Sequence, residues 1–207
     1  EESLCFEIAT ELKRAGYDLY ATYQDETTRE SVGRVADSLG FKRIYKYDAR
    51  NDEDLESFTA EVINEGVMFD ALVHGISYST AKGAKLDLDL VELSWEEFTD
   101  AIRVGAFSLA EISGHLLQVL NEDASILAVS MRWSRVAVPG YNVVCAAKAG
   151  LESIIRGLAE SLGKEKRIRV NGISPGFVPT YSLSKVGNSL EILEDAQTGC
   201  RCPCGAN

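Results

Sequence analysis

Apolar residues recur along this chain at two alternating periods, one helical and one strand-like, and that alternation narrows the fold to a single class. Leu4, Ile8 and Leu12 repeat at four-residue spacing and stop at Gly16, after which Tyr17 to Tyr23 reads as a strand rich in aromatic and small residues. Val32, Val35, Ala36 and Leu39 mark a second helix ended by Gly40, followed by a strand from Arg43 to Asp48. Leu55, Phe58 and Val62 stripe a third helix before a buried strand from Phe69 to His74. Trp95, Phe98, Ile102, Leu109, Ile112 and Leu116 define one long helix ahead of a strand from Ser125 to Ser130. A helix from about Tyr141, carrying Leu151, Ile154, Ile155 and Leu158, leads to a last strand from Arg167 to Ile173. Five strands separated by helices imply right-handed crossovers and a mostly parallel sheet, so an α/β fold is expected.

Size and charge then set limits. A chain of 207 residues that is 45% hydrophobic can bury one sizeable core, and with no repeat or linker a single domain over residues 1–207 is expected. A net charge of -11 argues against nucleic-acid partners, which need clustered Lys and Arg to displace phosphate counterions. No apolar run approaches the roughly 20 residues of a membrane span, and the acidic start Glu1-Glu2 is wrong for a secretory signal, so no membrane contact and a soluble, cytoplasmic setting are expected. Cys5 and Cys145 sit in apolar helical stretches and read as structural thiols. The tail Cys200-Arg-Cys-Pro-Cys204 lacks a second cluster, and His74 and His115 are far from it in sequence, so no metal is expected.

A doubly wound parallel sheet usually has strand order 3-2-1-4-5-6, with its first strand central and a glycine-rich turn leading into the first helix. Here the sequence opens on that helix. A sheet lacking its first strand with the glycine-rich turn, and its last strand, is expected, with a chain truncated at both ends; an unusual closure of the sheet is the alternative.

Tyr141 and Lys148 lie seven apart at the start of a helix, which puts them on one face about two turns apart. An ammonium near a phenol favours its anionic form and strengthens its hydrogen bond to developing negative charge. Both follow a strand end, and strand C-termini form the crevice where parallel sheets bind ligands. The segment Asn171-Gly-Ile-Ser-Pro-Gly176 follows the next strand and would line the same edge.

Tyr141-Asn-Val-Val-Cys-Ala-Ala-Lys148, Ala149-Gly-Leu-Glu152 and Ile168-Arg-Val-Asn-Gly-Ile-Ser-Pro-Gly176 together resemble the active-site helix and following strand of enoyl-acyl carrier protein reductases, within the Rossmann-type short-chain dehydrogenase/reductase superfamily. Ordinary members of that superfamily have three residues between Tyr and Lys, whereas this chain has six. The similarity extends upstream through Ala21-Thr-Tyr-Gln24, Tyr47-Asp-Ala49 and Leu72-Val-His-Gly-Ile-Ser77. The resemblance implies that Ser3 and Leu4 approach the cofactor pyrophosphate, Gln24 the adenosine ribose, and Asp48 with Ala49 the adenine. It implies that Gly75, Ile76, Ser130 and Lys148 contact the nicotinamide ribose region, and Val178 and Thr180 the carboxamide and diphosphate. On the residues alone, Asp48 is also readable as a strand-end cap and Ser130 as a loop hydroxyl.

By the same resemblance the expected reaction is reduction of a trans-2-enoyl thioester, on acyl carrier protein or CoA, by NADH. Tyr141 would stabilise the enolate, Lys148 would hold the cofactor ribose, and a loop from Thr180 to Val186 would close over the acyl chain. Asp25 and Glu26 after Gln24 would repel a ribose 2′-phosphate, favouring NADH over NADPH. A homo-oligomer is expected from the long apolar helices, as relatives form tetramers. The chain departs from the family pattern at Met131, where a second aromatic residue stands about ten positions before the tyrosine, and at Pro175, where an Ala is usual. The alternatives are a carbonyl or 3-oxoacyl reductase of the same superfamily and a catalytically silent scaffold.

Overall fold

A computed structural model describes residues 3–77, 90–135, 142–176 and 178. Among these, helices α1 (Leu4–Arg14), α2 (Glu26–Leu39) and α3 (Asp52–Asn64) alternate with strands β1 (Tyr20–Tyr23), β2 (Arg43–Lys46) and β3 (Phe69–His74). Then come α4 (Trp95–Ile102), a π-helical turn (Arg103–Phe107), α5 (Ser108–His115), β4 (Leu120–Val129), α6 (Asn142–Lys166) and β5 (Arg169–Ile173). Short polar side chains start the helices where the sequence offers them. Ser3 Oγ accepts from Phe6 N at α1, and Asp25 and Ser94 form reciprocal capping boxes with Thr28 and Glu97 at α2 and α4. Each such cap satisfies amides that have no partner within the helix and contributes about 1 kcal/mol.

Every strand pairing is parallel, in two ladders: β1 with β2, and β3 with β4 and β5 in the order β3-β4-β5. Placed side by side, 2-1 and 3-4-5 reproduce the expected doubly wound order with no described strand joining β1 to β3. The Tyr20 and Phe69 rings meet edge to face at 5.1 Å between those two strands. Helix α1 shows the same feature from another side, since none of its residues is buried although Leu4, Ile8 and Leu12 line up on one face.

Alternate residues of β4, namely Ala124, Ile126 and Ala128, pack with Leu151, Ile155 and Leu162 of α6 and with Val170 of β5 in one core cluster. A second cluster joins Tyr45 and Tyr47 to Leu55, Phe58 and Val62 of α3 and to Ile112 and Leu116. Phe69 and Leu72 touch both. The result is that β3 and β4 pack side by side and present their C-terminal ends at one edge.

Several boundaries differ from the periodicity reading. Strand β1 starts at Tyr20, because Gly16 N and Tyr17 N still bond Lys13 O and Leu12 O at the end of α1. Strand β2 stops at Lys46, where Asn51 N bonding Asp48 O turns the chain. The single long helix of residues 95–116 is broken by the π turn, which adds a residue and brings the backbone of Gly105 against α6, so that a Cβ there would lie 2.9 Å from Ala147 Cβ. No described helix is long and apolar enough to cross a membrane, and no described group of His, Cys, Asp and Glu could hold a metal ion.

Candidate active site

The C-terminal ends of β3 and β4 meet at Lys148. This residue is 4% exposed, and its ammonium donates to Ile76 O and Val129 O, both at 3.0 Å. Two carbonyls thus bind a buried cation, leaving one of its three protons for another acceptor. Desolvation holds its pKa down to about 8, with Cys5 opposing that fall.

Next to it, His74 is buried at the end of β3 with Nε2 2.8 Å from Ser108 Oγ. Ser108 Oγ donates to Val104 O at 2.7 Å, so the imidazole carries its proton on Nε2 and donates to the serine. Its Nδ1 has no hydrogen-bond partner among the described residues. Burial, aided by the charge of Lys148, pushes His74 down to about 3, so it stays neutral.

The N-terminus of α1 reaches the same place through an unusually close contact. A Cβ on Gly75 would lie 2.0 Å from Cys5 Sγ, so glycine is the residue that lets the first turn of α1 approach the end of β3. Cys5 is an exposed residue, contrary to the buried structural thiol expected, although its sulfur is partly enclosed. Desolvation raises its pKa, and nearby Lys148 opposes the rise. Cys145 is half-buried within α6, and desolvation raises it to about 11. Ser3 and Leu4, at the start of α1, therefore lie near the edge that carries Gly75, Ile76 and Lys148.

Beyond the ends of β1 and β2 lies a hollow of about 440 Å³ bordered by Gln24, Asp25, Asp48, Ala49, Ile76 and Tyr47. The buried Tyr47 hydroxyl has no hydrogen-bond partner among the described residues. Asp48 is firmly held: Arg50 donates to it from its backbone N at 3.0 Å, Nε at 3.1 Å and a terminal nitrogen at 2.7 Å, and Gln24 Nε2 donates at 3.3 Å. Burial opposes the charge of Asp48, yet these donors outweigh it and hold the carboxyl at about 2. Arg50 also borders the hollow, and its position two residues after Asp48 gave no sign of this in the sequence.

Ser130 follows β4 directly, and its hydroxyl donates to Glu152 Oε1 at 2.9 Å. Both alternatives left open by the sequence are thus realised in part: Asp48 organises a strand-end turn, and Ser130 is bonded within the protein. Val178 is exposed. Tyr141, Thr180, the loop from Thr180 to Val186 and the cysteines from Cys200 to Cys204 lie outside the described residues.

The family model described as "Enoyl-(Acyl carrier protein) reductase" matches residues 1–201. The chain belongs to the enoyl-acyl carrier protein reductase family. It is 32% identical to the NADH enoyl-acyl carrier protein reductase of Rickettsia bellii over 92% of this chain and 72% of that protein. It is 33% identical to the Haemophilus influenzae enzyme of the same name, with coverage of 92% and 72%. Among solved structures, the Aquifex aeolicus NADH reductase superposes with a TM-score of 0.86 at 28% identity, covering 94% of this chain and 75% of that one. The Bacillus cereus reductase, solved with NADP+ and indole naphthyridinone, gives 0.83 at 32% identity over 91% and 73%.

Lys148, Gly75, Ile76 and Ser130 meet at the ends of β3 and β4, while Gln24, Asp48 and Ala49 border a separate hollow that also touches Ile76. What sequence reading missed is Glu152. It was visible only as part of a motif, and its partners are 17 to 22 residues away in the chain.

Proposed function

We propose that this chain reduces the carbon-carbon double bond of a trans-2-enoyl thioester, carried on acyl carrier protein or CoA, with NADH, in fatty acid synthesis. The observation that carries the reading is the buried Lys148 ammonium, held by Ile76 O and Val129 O with a proton to spare. A cation there is unusual enough to demand an anionic or hydroxyl partner. The hollow beside Gln24, Asp48 and Ala49 suits an adenosine. The α1 N-terminus, starting at Ser3 and Leu4, suits a diphosphate because its free amides and helix dipole favour anions. Gly75, Ile76, Ser130 and Lys148 take the nicotinamide ribose side, and Val178 and Thr180 the carboxamide and diphosphate.

NADH supplies a hydride to the β-carbon. The electron pair of the double bond moves toward the thioester carbonyl, and the resulting enolate oxygen accepts a hydrogen bond from the Tyr141 hydroxyl. Lys148 favours that charge by proximity and orients the ribose, so catalysis comes from positioning and fixed electrostatics. A proton from solvent at the α-carbon completes the saturated thioester. Against the carbonyl-reductase alternative stands Ser130: its proton is committed to Glu152, so its hydroxyl has none left to polarise a substrate carbonyl.

One domain spans residues 1–207, supported by the family match over 1–201. The protein acts in the cytoplasm as a homo-oligomer, supported by the exposed Val91, Trp95 and Phe107 on and beside the α4 region, which offer apolar surface to a second copy. The test of function is Tyr141→Phe. Turnover of a soluble enoyl thioester should fall by about 100-fold or more while NADH affinity stays within about twofold, because only a transition-state interaction is removed. Full activity in this variant overturns the assignment of the enolate stabiliser.

A further inference from the structure

The reduction just described leaves Glu152 without a task, yet its carboxylate gathers the turn after β4. Ser130 Oγ donates to Oε1 at 2.9 Å and Ser134 Oγ to the same oxygen at 2.5 Å. Arg135 donates to Oε2 from Nε at 3.4 Å and from a terminal nitrogen at 3.3 Å. The glutamate side chain is 17% exposed, and the turn is packed from within by the buried Trp133. Four donors on one half-enclosed carboxylate exceed what a surface salt bridge needs.

Its place on α6 gives the cluster direction. Glu152 is four residues after Lys148, so the two side chains share a helix face one turn apart. Lys148 donates to the carbonyl of Val129, and Glu152 accepts from the hydroxyl of Ser130, the next residue. The end of β4 is thereby fixed to α6 at two consecutive residues by groups of opposite charge. Ser130 N also bonds Ile173 O at 2.8 Å, so its backbone is held by β5 as well as by Lys148 at the Val129 carbonyl, while its hydroxyl is held by Glu152.

We propose that Glu152 is a positioning residue for the reductase, which takes the proton of Ser130 and so presents the serine oxygen to the nicotinamide side of the site as an acceptor only. A hydroxyl has one proton. With that proton turned to Glu152, its free lone pairs suit a ribose hydroxyl or a carboxamide N–H as donor. Glu152 touches no reacting atom and acts through Ser130. The inference rests on the reductase reading, and its test is arranged so that the two can fail separately.

The experiment is a double-mutant cycle on Ser130→Ala and Glu152→Ala, measuring kcat with an enoyl thioester and NADH dissociation constants, alongside hydrogen exchange of the amides of residues 130–135. Each single variant should lower kcat by about tenfold, and the double variant should be no worse than either alone, because both remove the same link. NADH affinity should change by less than about threefold, since the adenosine and diphosphate contacts are untouched. Glu152→Gln should keep the turn protected from exchange yet lose part of kcat, as its amide nitrogen can donate to Ser130 and release the serine proton; it also serves if Glu152→Ala does not fold. Additive losses, or a Glu152→Ala enzyme with wild-type kcat, overturn the proposal. Exchange that rises across 130–135 with kcat unchanged assigns Glu152 a structural role only and overturns it too. A wild-type protein that binds NADH without reducing the thioester refutes the reductase reading instead.

Discussion

Replacing Lys148 with methionine removes a buried ammonium while keeping the length of the side chain, and the structure gives its effects on stability and turnover opposite dependence on pH. Burial holds this lysine at about 8 against an ordinary 10.5. The folded protein therefore releases the proton near pH 8, whereas the unfolded chain keeps it until pH rises through 10.5. Between those values the unfolded state binds more protons, so stability increases with pH, and the cost of burying the charge is fully present below 8. The whole gap corresponds to about 3 kcal/mol, of which about 2 to 3 kcal/mol should appear between about pH 7 and pH 10. Loss of the two carbonyl contacts in Lys148→Met is the same at every pH and cancels from this difference. Turnover runs the other way: if the ammonium supports the enolate, wild-type kcat/KM should fall about tenfold per pH unit above about 8. Urea unfolding of both proteins at the two pH values, with initial rates over the same range, measures both. A wild-type minus variant stability difference that is flat with pH, or a rate that holds steady to about pH 10, refutes the argument.

Two further outcomes follow from the same edge of the sheet. NADH should be used at least about tenfold better than NADPH in kcat/KM, because Asp25 faces the adenosine hollow and, held anionic by its cap bonds to Thr28, would repel a 2′-phosphate. Equal use of both cofactors counts against this, and Arg50, which borders the hollow, would be the residue to examine. Gly75→Ala should cost about 1 to 3 kcal/mol of stability and weaken NADH binding, since its Cβ would fall 2.0 Å from Cys5 Sγ. Adding Cys5→Ala should restore both, measured by thermal unfolding and fluorescence titration; failure of the rescue shows that the two residues do not compete for the same space.

Much of the fold could be read from local pattern. Period-four apolar stripes and short apolar runs located all five described strands, and Phe69 to His74 was bounded correctly because that strand is apolar apart from Asp70 and His74 and is followed by glycine. Where the reading slipped, long-range or terminal bonds decided the boundary. The end of α1 reaches into what looked like β1, and close packing of Gly105 on Ala147 accompanies a π turn in a helix that periodicity made continuous. Lys148 was legible as a residue of the last helix, whereas its pairing with Tyr141 rests on spacing alone, because Tyr141 lies outside the described residues.

What the sequence determined alone was therefore the alternation of elements, the glycine stops after the first two helices and the set of residues lying just past strand ends, because each depends on neighbours a few positions away. Tertiary structure decided the rest. It grouped the strands as β2-β1 and β3-β4-β5, turned the Ser130 hydroxyl to Glu152, committed Asp48 to Arg50 and Gln24, and set Cys5 against Gly75. It also lowered the pKa of Lys148 by burying it. Hydrogen-bond partners and desolvation depend on which atoms meet in space, and no periodicity in one dimension records that.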